Sequence, residues 1–374
     1  MDANSEYMRL ALRLARRGYG TTSPNPMVGA VLVKGGRIIG RGWHHRAGKP
    51  HGEIEAIQNA MRRGNSVKGA TLYVTLEPCS THGRTPPCTD AIIAAEIKRV
   101  VIGATDPNPS HSGRGFGILK RAGIELSKGI LAEKCEELNE TFNHWIVHRT
   151  PFVTVKAAMT LDGKIATAAG ESKWITGEKA RAYGIKLRYG ADAILVGINT
   201  ILADNPNLTA RGAKEKQVRR IVLDSQARTP LESNVVNDNQ ANLTTIVVSE
   251  SAPANRILAL SKHVNVIVAP LTRRGLRIAR SSIDLPWLLK RLGGENVTSL
   301  LVEGGGEINA SFLLEGLAQR VAFFYAPKIL AGRDSIRAVA GKGVIDLGDA
   351  IRFANPEYRR LGPDLLLTAR VTLT

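Results

Sequence analysis

Apolar and polar positions along the first part of the chain switch repeatedly between two periods. Ala30–Trp43 alternates around Gly35–Gly36 and predicts a β-hairpin. Glu53–Gly64 has helical spacing and stops at a glycine, and Ala70–Leu76 is a continuous apolar run of the kind found in buried strands. Pro87–Lys98 predicts a helix with proline in its first turn. Arg99–Thr105 predicts another strand, and Glu133–His148 has the spacing of one longer helix. Upstream, the first 18 residues read as an amphipathic helix capped by Asn4 or Ser5 and stopped by Gly18.

Arg149–Thr150–Pro151 interrupts this pattern, and a new strand series follows. Its members are Phe152–Met159, Asp192–Gly197, Arg219–Ser225, Thr244–Ser249, Val264–Pro270, Ser299–Gly305 and Arg320–Leu330, with helical segments between several of them. The pattern is α/β layering in two domains, 1–149 and 150–374, joined without a long linker. A chain of 374 residues is long enough for two domains, and 43% hydrophobic residues suffice for two cores.

Composition narrows the classes further. No apolar run reaches the roughly 18 residues of a membrane span, and the N-terminus has acids where a secretory signal would be apolar. Three cysteines, Cys79, Cys88 and Cys135, make no disulfide framework and fit a reducing, cytoplasmic setting. Lys and Arg total 51 against 33 Asp and Glu, a formal charge of +18, which attracts anions. Composition does not choose between nucleic acid, phosphorylated small molecules and a solvated basic face. Long basic blocks with interleaved aromatics are absent, and the densest spots, Arg219–Arg220 and Arg273–Arg274, are short.

The chemistry concentrates in His51-Gly-Glu53, Pro78-Cys79 and Pro87-Cys88. Taken singly, each cysteine reads as a small buried residue and His51 as a structural histidine. Together, one imidazole and two thiolates leave the fourth tetrahedral position of Zn²⁺ open for water, the catalytic rather than the structural pattern. The metal lowers the pKa of that water toward neutrality. Glu53, two residues from the ligand His51, is placed to carry a proton from the water to a leaving amine. The order matches the general signature of zinc nucleobase deaminases. Both ligand segments open helices, whose positive N-termini favour thiolate. Cys135 lies mid-helix and reads as core, and His44 and His45 end the hairpin with either a pocket or a surface role open to them.

Eight residues separate the two cysteines. Thr75-Leu-Glu-Pro-Cys-Ser-Thr-His-Gly-Arg-Thr-Pro-Pro-Cys88 resembles the bifunctional deaminase–reductases of riboflavin biosynthesis, and Ser23-Pro-Asn-Pro-Met-Val-Gly29 resembles their substrate loop. Two positions depart from that family's pattern: Gly52 stands where it usually has alanine, and Thr81 where it commonly has histidine. The resemblance implies a cytidine-deaminase-like three-layer α/β/α domain acting on a diaminohydroxy-ribosylaminopyrimidine 5′-phosphate, with Asn25 at its ring.

In the second domain, a strand, the run Glu303-Gly-Gly-Gly306 and a helix could seat a phosphate. The run is neither a Walker loop nor a full dinucleotide fingerprint, and alone it reads equally as a tight turn. Thr160–Ala166, Gly170–Thr176, Thr200–Thr209 and Leu301–Gly305 resemble the reductase half of the same family, a dihydrofolate-reductase-like α/β domain. That resemblance implies NADPH as cofactor and reduction of ribosyl to ribityl. It implies substrate contacts at Ser172, Arg188, Leu208, Arg211 and Glu303, the arginines on the phosphate. It implies a cofactor site of Ala158, Trp174, Thr200, Asp204, Ser225, Gly304, Gly305 and Gly306. Lys156 and Asp204 are the candidate proton handlers, and a dimer or tetramer is the implied assembly. Two rival readings are a nucleic-acid-binding deaminase, favoured by charge but opposed by the cysteine spacing, and a zinc scaffold, which needs a fourth ligand such as His82.

Overall fold

A computed structural model describes residues 2–82, 86–210, 216–271 and 283–372. The chain divides into two compact units, Met1–Arg149 and Thr150–Thr374. Among the described residues no helix is long and apolar enough to cross a membrane.

The first unit holds helices α1 (Ala3–Ala15), α2 (Gly52–Arg62), α3 (Cys88–Ala94), α4 (Arg114–Arg121), α5 (Ala132–Leu138) and α6 (Glu140–His148). Its strands are β1 (Gly29–Lys34), β2 (Arg37–Trp43), β3 (Thr71–Leu76), β4 (Arg99–Ala104) and β5 (Glu125–Lys128). They form one sheet in the order β2-β1-β3-β4-β5, antiparallel around β1 and parallel from β3 to β5.

Glycines set the layering. Gly29 pairs with Trp43 and Ala30 with Gly42, so Gly29 and Gly42 face opposite sides of the sheet. A Cβ on Gly29 would lie 2.0 Å from the Ala11 carbonyl of α1, and one on Gly42 would lie 2.3 Å from the Ala56 nitrogen of α2. Helices therefore press backbone-to-backbone on both faces, giving three layers. Packing at that distance places the start of α2, with its chemistry, directly against the sheet.

Three local expectations are corrected. Asp2, in extended conformation, caps α1 by accepting from the Asn4 N–H, so the helix starts ahead of Asn4 and Ser5. The helix expected to Lys98 ends at Ala94, and Glu96 turns the chain in left-handed conformation. The single helix expected over Glu133–His148 is two, broken at Asn139. The Asn139 amide accepts from the Met27 N–H at 2.8 Å and donates to the Met27 carbonyl at 2.9 Å, so a segment 112 residues away fixes the break. Cys135 is fully buried against Gly103, in the core as read from its spacing.

The second unit contains strands β6 (Phe152–Thr160), β7 (Lys164–Ala166), β8 (Ala193–Gly197), β9 (Arg219–Leu223), β10 (Thr244–Ser249), β11 (Asn265–Ala269), β12 (Ser299–Val302), β13 (Arg320–Ala326), β14 (Ile336–Arg337), β15 (Arg352–Leu361) and β16 (Asp364–Thr372). Its helices are α7 (Glu178–Gly190), α8 (Ile198–Asp204), α9 (Asn234–Asn237), α10 (Ala254–Ser261), α11 (Leu285–Gly294) and α12 (Gly306–Leu314). Nine strands form a sheet ordered β11-β10-β9-β8-β12-β6-β13-β16-β15, parallel up to β13 and closed by the antiparallel β16 and β15. Alternate residues of β8 enter different apolar clusters, Ala193 and Leu195 one, Ile194 and Val196 another, so both faces are covered.

The pair β15–β16 lies beyond the strand series read from the sequence. Its edge strand is polar and exposed, with Pro356 at a register irregularity, which hides the period of two. Arg219–Arg220 is no surface patch: Arg220 is fully buried and Arg219 pairs with Glu295. Arg273–Arg274 lies outside the described residues.

Candidate functional sites

The first site gathers where α2 and α3 begin. His51 is the N-cap residue of α2, in extended conformation, and Glu53 follows in its first turn. Cys79 follows the end of β3, and Cys88 opens α3. His51 Nδ1 lies 3.2 Å from Cys88 Sγ and 3.5 Å from Cys79 Sγ. All three ligand atoms fall within 4.8 Å of one another.

These positions fit zinc. A tetrahedral ion with ordinary Zn–N and Zn–S bonds separates nitrogen from sulfur by about 3.5 Å. Among the described residues no fourth ligand joins the group, and His82 stands exposed outside it, so the scaffold reading loses its candidate. Glu53 is 2% exposed, and its Oε2 is buried without a partner. Burial pushes its carboxyl up to about 7 against the pull of His51. A carboxyl in that range takes and gives a proton near neutrality. The Cys88 thiol and backbone N–H, together with His51, hold the Cys79 thiol well below its ordinary value, while the same contact and burial push Cys88 up.

Two flanking residues complete this pocket. His44, left open by the sequence, is 1% exposed. Its Nδ1 lies 3.0 Å from the Pro50 carbonyl, which only accepts, so Nδ1 carries the proton. Nε2 then accepts from Asn25 Nδ2 at 3.2 Å, which fixes how the Asn25 amide faces. Burial lowers the His44 pKa, keeping the ring neutral for this task. Glu77, in the cysteine segment, accepts backbone N–H groups from Asp106, Gly113 and Gly115, and so ties the loop after β4 beside the site. That loop brings His111 Nε2 to 3.4 Å from Thr81 Oγ1, at one of the two departing positions. At the other, a Cβ on Gly52 would meet the Val28 carbonyl at 2.7 Å, so glycine fits the packing.

The second site lies at the carboxyl ends of parallel strands, where open α/β sheets bind ligands. Thr200 and Asp204 belong to α8, directly after β8, Ser225 follows β9, and Glu303–Gly306 follows β12. Lys156 and Ala158 share one face of β6, and their cross-strand partners on β13 are Ala322 and Phe324. Gly305 caps α12 with no side-chain hydrogen bond, leaving its first-turn N–H groups to an outside partner. A Cβ on Gly304 would meet the Ile308 side chain at 2.7 Å and one on Gly306 the Arg337 carbonyl at 2.3 Å, so packing favours glycine at these two positions, whereas the space around Gly305 is open.

Four of the residues named from the sequence meet here in two pairs that the sequence did not indicate. Arg188 holds Glu303 through two bonds, Nε to Oε1 at 2.9 Å and Nη2 to Oε2 at 2.6 Å, and its Nη1 donates to the Thr209 carbonyl at 3.3 Å. Burial works against ionisation of Glu303, yet the charges of Lys156 and Arg188 hold it down at about 2. Ser172 Oγ donates to Asp204 Oδ1 at 3.1 Å. Leu208 points into the core at 2% exposure with positive φ, so only its backbone can meet a ligand. Trp174 is 67% exposed, with the Arg181 guanidinium 4.6 Å from its ring centre. Arg211 lies outside the described residues.

Residues 1–104 match the cytidine and deoxycytidylate deaminase zinc-binding region, and residues 151–367 match the RibD C-terminal domain. The riboflavin biosynthesis protein RibD of Actinobacillus pleuropneumoniae is 43% identical over 97% of this chain and 94% of its own. That of Aquifex aeolicus is 43% identical over 98% of both. Among solved structures, Acinetobacter baumannii RibD superposes with a TM-score of 0.86 at 33% identity over 99% of both chains. A Thermotoga maritima diaminohydroxyphosphoribosylaminopyrimidine deaminase/5-amino-6-(5-phosphoribosylamino)uracil reductase superposes at 0.83 with 36% identity, again over 99% of both. The chain belongs to the RibD family of bifunctional riboflavin biosynthesis enzymes, with a zinc-binding deaminase domain followed by a reductase domain.

Proposed function

We propose that residues 1–149 deaminate 2,5-diamino-6-(5-phosphoribosylamino)pyrimidin-4(3H)-one and that residues 150–374 reduce the product's ribosyl group to ribityl with NADPH. The observation that carries the first half is the three-ligand cluster beside the unpartnered buried oxygen of Glu53. The Thermotoga relative, named for both activities, supports the pairing.

His51, Cys79 and Cys88 would hold the zinc, which would supply Lewis acidity at this site. Glu53 takes a proton near its Oε2 and returns it to the departing amine. Asn25, oriented by His44, holds the pyrimidine ring against that carboxyl. The shell of α2 and the sheet keeps bulk water away from Glu53.

In the reductase half, the N–H groups at Gly304–Gly306 and the start of α12 hold a cofactor phosphate, and Ala158, Trp174, Thr200, Asp204 and Ser225 line the rest. NADPH, when bound, supplies the reducing electrons. Ser172, the Leu208 backbone, Arg211 and Glu303 hold the substrate. Arg188 fixes the Glu303 carboxylate with two of its five donors and the Thr209 carbonyl with a third, and with Arg211 it supplies the charge for the substrate phosphate. Lys156, whose charge Glu303 senses, and Asp204, held by Ser172, are the groups that supply a proton to the opened sugar.

The protein works in the cytoplasm, in keeping with its three unpaired thiols. It assembles as a homo-oligomer, dimer or tetramer, in keeping with the exposed Phe353, Tyr358 and Leu365 on β15 and β16. It uses its charge on a phosphorylated small molecule rather than on nucleic acid.

The test is to give the zinc-loaded protein the diamino compound. Ammonia released without NADPH, followed by NADPH oxidation once the cofactor is added, is the expected result. No ammonia overturns the deaminase assignment, and ammonia without NADPH oxidation overturns the reductase assignment.

A further inference from the structure

Arg220 on β9 is the largest fully buried side chain among the described residues. A guanidinium has five N–H donors, and all five are used here. Nε donates to Thr244 Oγ1 at 2.8 Å, and Nη1 and Nη2 grip the Asp238 carboxylate at 2.6 and 2.8 Å. The remaining Nη2 donor reaches the Val235 carbonyl at 3.2 Å, and the remaining Nη1 donor reaches the Asn207 carbonyl at 3.1 Å.

That last bond leaves the core for the loop that carries the reductase site. The loop runs from Asp204 to Thr209. Two of its residues, Asn205 and Leu208, have φ of 42° and 51°, a left-handed conformation that non-glycine residues do not hold by themselves. Its start is tied to Ser172 and its end to Arg188. From the far side Asn234 binds Asn205 twice, N–H to Oδ1 at 2.8 Å and Nδ2 to the carbonyl at 2.7 Å. Asn234 and Val235 open α9, and Asp238 follows it, so Arg220 and Asn234 anchor one loop to one short helix.

We propose that Arg220 is a positioning residue for the reductase substrate site. Its buried fork sets the Asn207 carbonyl and thereby the Asp204–Thr209 loop, with Asn234 as the second tether. The inference rests on the proposed reductase reading. A positioned loop affects ground-state fit, so the effect belongs in KM for the pyrimidine substrate.

The experiment measures steady-state NADPH oxidation with the deaminated substrate for wild type, Arg220→Lys and Asn234→Ala, with ammonia release and thermal unfolding alongside. Lysine keeps the charge beside Asp238 but lacks the fork. For Arg220→Lys the expected result is a rise in substrate KM of about tenfold or more, larger than any change in the KM for NADPH, with the rate of ammonia release unchanged. Asn234→Ala, a change at a half-buried residue that keeps the backbone N–H bond to Asn205, is expected to raise substrate KM about threefold with the unfolding temperature nearly unchanged. Wild-type substrate KM in both variants, whatever their unfolding temperatures, overturns the inference. If Arg220→Lys does not fold, Asn234→Ala decides. No NADPH oxidation by wild type overturns the reductase reading instead.

Discussion

Arg188 and Glu303, 115 residues apart, face each other as a fork on a carboxylate, with bonds of 2.9 and 2.6 Å. The side chain of Glu303 is 8% exposed and that of Arg188 24%. The pair joins α7 to the residue that opens the glycine run, so it is both a stability element and a wall of the reductase site.

Removing the arginine leaves a buried carboxylate with the Lys156 charge but without the Arg188 charge and hydrogen bonds that offset its burial. Arg188→Ala is expected to cost about 2–4 kcal/mol in urea unfolding at neutral pH, below the range for fully buried pairs because part of Arg188 stays wet. The sign with pH follows from the depressed Glu303 value. Its stabilising contribution is complete above its ordinary value of 4.5 and is lost as pH falls toward about 2. Wild type should therefore lose stability across that acid window, and Arg188→Ala should lose less across it. An acid slope identical in the two proteins would count against the pair.

Gly42 lets β2 touch α2. Gly42→Ala would push a Cβ to 2.3 Å from the Ala56 nitrogen and 2.4 Å from the Gly52 carbonyl, both backbone atoms that cannot rotate away. The expected cost is about 1–3 kcal/mol of stability. Because α2 carries His51 and Glu53, zinc affinity and ammonia release should fall with it, while NADPH oxidation on the deaminated substrate stays intact. Thermal unfolding and a metal titration check this.

His44 acts on the substrate through Asn25. His44→Phe keeps a ring of similar shape and removes both hydrogen bonds. The expected outcome is a rise in KM for the diamino compound of about 10- to 100-fold, the effect of losing an orienting hydrogen bond at a polar site. Bound zinc should be unchanged, which metal analysis of the purified variant reads directly.

The zinc site was legible because its residues carry their chemistry with them. His51, Glu53, Cys79 and Cys88 are few, specific and tied to helix starts that the periodicity already marks. What stayed hidden depends on partners far along the chain. The spacing of Glu133–His148 runs straight through Asn139, and only Met27 reveals the break. His44 looks like any histidine at a strand end until Pro50 and Asn25 take its two nitrogens. Arg220 reads only as half of a short basic spot at the start of a strand, because nothing local announces that Asp238 and Thr244 enclose it. The edge strand β15 is exposed along most of its length and irregular in register beside Pro356, so the alternation that marks buried strands is absent.

One chain holds two sites, a deaminase and a reductase, that act in order. Glu53→Gln separates them, since it keeps the zinc ligands and removes the group that moves the proton, a loss of about 10²–10⁴-fold for general acid–base catalysis. The measurement is NADPH oxidation by this variant, supplied first with the diamino compound and then with the deaminated one. The predicted result is silence with the first and the wild-type rate with the second. Oxidation with the diamino compound, or none with the deaminated one, would contradict the account.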